Sequence, residues 1–261
     1  VNSETIELDL PRLVWALGLM AAALGLAAWQ RLGLVGTLAL ATVRTVVQLL
    51  AVGVFLSIIF AQQQPWLVLL VLAMMLTIAA LTARNRISRE IPRLLLWLWM
   101  AIFISTGLTL VYTTLLVIRP AMWYEPRYLI PLTGIVFGNA MNAAALTGDR
   151  FVNALQNNRV EIETHLSLGA TPAQATVNYR REAIKAGLIP TINAMMVVGL
   201  VTLPGIITGQ LLSGAEPFMA ALYQMLIMFM LAFSTLTTAM LVTYGIQRQF
   251  FNGAAQLIKP G

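Results

Sequence analysis

Long apolar runs separated by short polar breaks make up most of this chain. Seven stretches, 10–29, 36–60, 66–83, 94–118, 128–148, 188–212 and 218–246, consist mainly of Leu, Val, Ile, Ala, Met and aromatic residues. None keeps the alternation of apolar and polar positions that a strand of a membrane barrel requires. An apolar stretch of about 20 residues crosses the hydrocarbon as a helix, because lipid offers no partner to an unpaired backbone group. The pattern therefore predicts an all-α, polytopic membrane protein with about seven transmembrane helices. It forms one membrane domain over 1–261, with a single sizeable hydrophilic segment at about 149–187.

That segment predicts two helices around a corner. Val152, Leu155, Ile162 and Leu166 keep helical spacing. Gly169 supplies the left-handed residue that ends helices. Thr171 then caps a new helix, with Pro172 at its first position and Gln174 three residues after the cap. The second helix is expected to run from Pro172 to about Gly187 and feed into the sixth span.

Composition sharpens the class. Hydrophobic residues make up 59% of the chain and charged residues 10%, where soluble domains carry about 25% charged. Residues 1–9 hold Glu4, Glu7 and Asp9, whereas a cleavable signal opens with basic residues, so the first run is expected to remain as a span. The chain has no Cys, which leaves no disulfide framework, thiolate metal site or redox pair.

The net charge of +6 is unevenly placed. Arg84, Arg86, Arg89 and Arg93 share one loop, and Arg150, Arg159, Arg180, Arg181 and Lys185 lie in the hydrophilic segment. With Arg31, Arg248 and Lys259 they put twelve basic residues on one side, against Arg12, Arg119 and Arg127 on the other. Basic residues collect in cytoplasmic loops. The asymmetry predicts an N-terminus outside and a C-terminus in the cytoplasm, and the basic balance needs no nucleic acid as partner.

The run from Glu163 to Pro172 resembles the cytoplasmic "EAA" loop of ABC importer permeases, in which a Glu precedes a Gly by six positions and an Ala follows. Thr164 and His165 stand where that loop has Ala-Ala. A closer resemblance spans nearly the whole chain. The strings LIPLTGIVFGNAMNAA (129–144), LSLGATPAQA (166–175), LIPT (188–191) and VGLVTLPGIITGQLLSGAEP (198–217) are similar to the permease family associated with bacterial iron export. That family includes plant subunits implicated in aluminium tolerance.

The resemblance implies a multi-pass permease of the bacterial plasma membrane, embedded in lipid. It implies a pairing with a second copy of itself and with two copies of a separate cytoplasmic ABC ATPase. Glu163, Ser167, Leu168, Gly169, Ala170, Thr171 and Pro172 would form the docking corner. ATP and magnesium would sit in the partner, and this chain would bind no cofactor. Iron or another metal is the implied cargo, although plant relatives have been linked to a nucleotide sugar.

The residues fit a non-enzymatic chain. No phosphate-binding loop is present, and no span contains a His, Asp or Glu to serve a nucleophile. The single His165 has no second ligand near it for zinc. Candidates for a substrate path are intramembrane polar groups and helix breakers. Arg44 and Gln48 lie one turn apart in the second span; a charge there faces a cavity or partner, or snorkels to the interface. Gly134 and Gly138 permit close helix approach and precede Asn139, Met141 and Asn142, whose amides serve either a substrate or a neighbouring helix. Met141 is the metal-contact candidate.

Pro204 and Gly205 predict a kink or break in the sixth span, near Thr202, Thr208 and Gln210, and broken helices in transporters expose backbone to substrate. Hard cations prefer carboxylates, and no span has one, so a chelated metal or an organic solute suits this lining as well as a bare ion. A self-sufficient secondary transporter or channel is the reading of another class. Such proteins often show internal repeats, and the two halves here show none.

Overall fold

The computed structural model describes residues 10–62, 64–120, 122 and 124–258. Glu4, Glu7, Asp9 and Lys259 lie outside them. The chain divides into two compact units, 1–64 and 65–261. The first contains α1 (Leu10–Trp29) and α2 (Val35–Gln62). Their connection reverses through Arg31 at φ 51, with Leu32 N–H donating to Ala27 O and Arg31 N–H to Ala28 O. This is the two-bond helix stop that usually employs Gly.

The second unit contains α3 (Pro65–Ile87), α4 (Leu94–Tyr112), a π-helical turn over Thr113–Ile118, α5 (Pro126–Asn157), α6 (Arg159–Ser167), α7 (Pro172–Ala175), α8 (Val177–Val197), α9 (Gly205–Leu212) and α10 (Pro217–Phe250). Pro occupies the first turn of α5, α7 and α10, where its missing N–H costs nothing. The Glu216 carboxylate caps α10 by accepting from Phe218 and Met219 N–H. Among the described residues, five helices are long and apolar enough to cross a membrane: Val35–Ala61, Pro65–Ile87, Leu94–Ile118, Pro126–Asn157 and Pro217–Phe250.

Two apolar clusters give the second unit its two ends. One joins Ala83 of α3, Leu94 of α4, Phe151 of α5, Ile162 of α6, Ala183 of α8 and Ile246 of α10. The other joins Leu110 of α4, Val136 of α5, Met195 of α8, Ile206 of α9 and Leu231 of α10. Successive long elements therefore run in alternate directions, and α8 heads from the first cluster to the second. Arg84, Arg86, Arg89, Arg93 and residues 149–187 all belong to the first end, called here the basic end.

The sequence expectation needs correcting at three places. The fifth helix does not stop at 148 but continues to Asn157, a length of about 48 Å at 1.5 Å per residue. The hydrophilic segment's second helix is not continuous from Pro172, since α7 and α8 meet at Thr176, whose hydroxyl bonds back to Pro172 O at 2.8 Å. Such a back-bond competes with helix propagation.

Nor is the sixth apolar run one helix. It is divided over 198–204, and the break begins before Pro204: Gly199 takes φ +81, and Val201 and Thr202 N–H both turn back to Val197 O. Pro204 itself serves as N-cap of α9.

Candidate functional site

The corner between α6 and α7 is built entirely from local sequence. Ala170 N–H donates to His165 O and Gly169 N–H to Leu166 O, both at 3.0 Å, with Gly169 at φ +90. These are the two bonds of a Schellman stop, and they satisfy carbonyls a helix end otherwise leaves open. Thr171 follows in extended conformation. Its N–H donates to Gln174 Oε1 at 2.8 Å and its hydroxyl accepts from Gln174 N–H at 3.3 Å, completing the capping box.

Among the described residues nothing covers the tip: Leu168 is 80% exposed, and Ser167 and Thr171 are exposed beside it. Ala170 and Pro172 are half-buried behind them. Glu163 is held at 2.7 Å by Arg159 within α6. The Tyr179 hydroxyl of α8 meets Glu161 of α6 and is pushed up to about 12, first by burial and then by that carboxylate. The two arms of the corner are thus linked by a side-chain contact.

Behind the corner, α8 is locked to α5. A Cβ on Gly187 would collide with Thr147 Oγ1 and lie 3.1 Å from the Ala143 carbonyl. Small residues are what permit such an approach. At the expected pair, Gly134 faces Met75 Cε, at 3.1 Å from where a Cβ would stand, whereas Gly138 opens on empty space. The tight crossings are at Gly187, at Gly148 against Ile87, and at Gly245 against Trp97.

The path candidates are spread over the molecule. Arg44 and Gln48 lie on α2 in the first unit, both exposed. On α5, Asn139 spends its amide on Ile135 O of its own helix at 2.9 Å, Met141 packs against the basic-end cluster, and Asn142 accepts from Arg86 Nη1 at 3.1 Å. Pro204 and Gly205 stand at the broken helix. There, Thr208 donates its hydroxyl to Pro204 O, and the Gln210 Oε1 is buried without a partner among the described residues.

A feature that sequence reasoning passed over is a seam of buried hydroxyls. Ser105, Thr106 and Thr109 on α4, Thr113 at the start of the π-helical turn, and Ser234, Thr235 and Thr238 on α10 are all almost fully buried. Ser105 and Thr238 meet at 2.6 Å. Thr106, Thr133 and Ser234 have no hydrogen-bond partner among the described residues, and an unpaired polar atom away from water is costly. The four-residue spacing of Ser105, Thr109 and Thr113 was the available signal.

A cavity of ≈ 900 Å³ opens between α4 with its π-helical end and α10; its wall is mostly Leu, Val, Met and Phe, with Tyr112 and the seam residues Thr109 and Thr113 among them. Such a wall suits hydrocarbon and not a polar solute.

The architecture defines a multi-pass helical membrane protein. The chain belongs to the family described as "Uncharacterised protein family (UPF0014)", which matches residues 10–251. It is 52% identical to the UPF0014 membrane protein slr1647 of Synechocystis, over 97% of this chain and 98% of that one. It is 36% identical to the UPF0014 membrane protein STAR2 of rice, over 94% of this chain and 84% of that one. The Probable iron export permease protein FetB of Escherichia coli is 32% identical, over 99% of this chain and 97% of its own length. No solved structure matches the chain.

Proposed function

We propose that this protein is the permease subunit of an ABC transporter that exports a metal, with ATP hydrolysed by a separate cytoplasmic subunit docked on the corner Ser167–Pro172. The observation that carries the reading is the corner itself. A Schellman stop followed by a capping box fixes its shape, and it presents an uncovered Leu168 on a polar protrusion. Exposed apolar anchors on rigid tips are what partner proteins seize. The basic end then faces the cytoplasm, as positive residues in short loops direct. Relatedness to a permease named for iron export supports the cargo.

Movement of the corner has a route into the membrane. From α7 the chain passes into α8, which is locked on α5 at Gly187 and ends at the 198–204 break. Non-helical backbone at membrane depth is tolerated where it lines a cavity or is covered by protein. The amides of α5 and the hydroxyl seam on α4 and α10 would offer oxygen donors along the way.

One observation favours a second cargo. Asn142 is bound to Arg86, with Arg84 and Arg89 nearby in sequence, so the end of α3 and its loop present cationic donors beside α5, suited to an anionic chelate or a nucleotide sugar. The test is transport and ATP hydrolysis by the co-purified complex in vesicles, with ferrous iron in one arm and UDP-glucose in the other. Stimulation by iron alone supports metal export, and stimulation by UDP-glucose alone replaces it with the second cargo. Failure to retain any ATPase subunit removes the reading.

A further inference from the structure

Residues 251–258, after α10, are not a loose tail. Phe251 and Leu257 pair as an antiparallel bridge, and Ile258 N–H returns to Phe250 O at 2.8 Å. Asn252 organises the turn between them: its Oδ1 accepts from Ala254 and Gln256 N–H, and its Nδ2 donates to Gln256 Oε1 at 2.9 Å. Ala255 is held at φ 57, a conformation that a non-glycine residue keeps only where its surroundings impose it.

The turn is seated on α6. Leu257, 8% exposed, sits in the basic-end cluster with Ile162 of α6 and Phe250 of α10. Its carbonyl accepts from Arg159 Nη2 at 3.5 Å, while the Nε of the same guanidinium is fixed by Glu163 at 2.7 Å. A cleft of ≈ 570 Å³ runs between the two elements, with Leu166 and Ser167 on one wall and Ala254 and Ile258 on the other. Ser167 is also the last residue of α6 before the corner.

We propose that residues 251–258 are a strut that fastens α6, and with it the docking corner, to the end of α10. Displacement of the corner is then delivered to α10 as well as to α8. This inference rests on the reading of the corner as the ATPase dock. Its physical content is that α6 has two anchors. Tyr179 meets Glu161 from the α8 side, and Arg159 with Leu257 holds it from the α10 side. The helix on that second side, α10, carries Ser234, Thr235 and Thr238 of the hydroxyl seam. Glu163 gains a positioning role, because it orients the Arg159 guanidinium that grips the turn.

The test uses the full complex in vesicles with whichever of ferrous iron or UDP-glucose the parent complex transports. Leu257→Asp places a charge in an apolar seat and should release the turn. The expected result is at least a tenfold fall in solute moved per ATP hydrolysed, with the ATPase still co-purifying and the Tm lowered only slightly. Because the chain has no Cys, Leu166→Cys with Ala254→Cys, both on the cleft and outside the docking corner, can then be joined by a short bis-maleimide. Joining them should restore at least half of the lost coupling, an effect that mere stabilisation of α10 would not give.

Should Leu257→Asp fail to assemble, Asn252→Ala, at an exposed position, provides the same reading with an expected fall of about threefold. Coupling within twofold of the parent in the variant that assembles, or no restoration by the cross-link, overturns the strut. Gly169→Val separates the two ideas. If it uncouples the complex while Leu257→Asp does not, the dock stands and the strut falls; if neither uncouples, the dock itself falls.

Discussion

Gly169 sits at φ +90 with open space where a Cβ would project, so a substitution there acts through the backbone and not through a clash. Valine should cost about 1–2 kcal/mol of strain, whereas Asn, which tolerates the left-handed region, should cost little. Gly169→Val is therefore expected to lose transport and ATPase co-purification, and Gly169→Asn to keep both. Gly53→Val, in open space on α2, is the control; equal behaviour of the two Gly169 variants would remove the backbone argument. Leu168→Asp tests the anchor without touching the stop, and a pull-down should retain less than a tenth of the ATPase. The corner was legible in the sequence because every bond in it joins residues within five positions. The Arg86–Asn142 bond, which spans 56 positions, had no such signal.

Between elements, five of the seven apolar runs were legible as membrane-length helices among the described residues, because hydrocarbon demands the same thing of each: enough apolar length and satisfied backbone. What the runs did not reveal is how helices meet. The Gly134/Gly138 spacing suggested a close crossing, yet only one of the two glycines faces a neighbour, since spacing says nothing of which side a helix turns inward. Gly187 lies in an unremarkable stretch, and only the structure puts Thr147 against it. Gly187→Ala should destabilise the α5–α8 pair by about 1–3 kcal/mol, the range for overpacking a filled site. The double variant Gly187→Ala with Thr147→Ala should recover at least half of that, as thermal unfolding in detergent would register. A Gly187→Ala chain that melts like the parent would show that α8 is free to shift on α5, and would weaken it as a lever. The break at 198–204 was half legible. Pro204 and Gly205 marked its end, but its start depends on Gly199 adopting a positive φ, and a lone Gly in an apolar run does not announce that.

At the scale of the whole molecule, the charge asymmetry and the alternating helices make one joint claim about the membrane. The loop after α3, the α6–α7 corner and the turn after α10 gather at one end of the second unit, and the π-helical turn and the α9–α10 connection at the other. This arrangement requires α8 and α9 together to cross, although neither is by itself both long and apolar enough to do so. Residues 188–197 and α9 supply about 15 and 12 Å of helix at 1.5 Å per residue, and with the break between them they cover a hydrocarbon core of about 30 Å. Single cysteines in the cysteine-free chain test this directly. Ser88→Cys lies on the basic end and Ser213→Cys just after α9. In intact cells an impermeant maleimide should label Ser213→Cys and spare Ser88→Cys until the membrane is opened. The reverse pattern would invert the orientation and put the docking corner outside the cell, where no ATP-hydrolysing partner is present. Equal labelling of the two would mean that 188–212 dips into the membrane and returns, so that α10 would have to run opposite to the direction its contacts with α5 and the strut require.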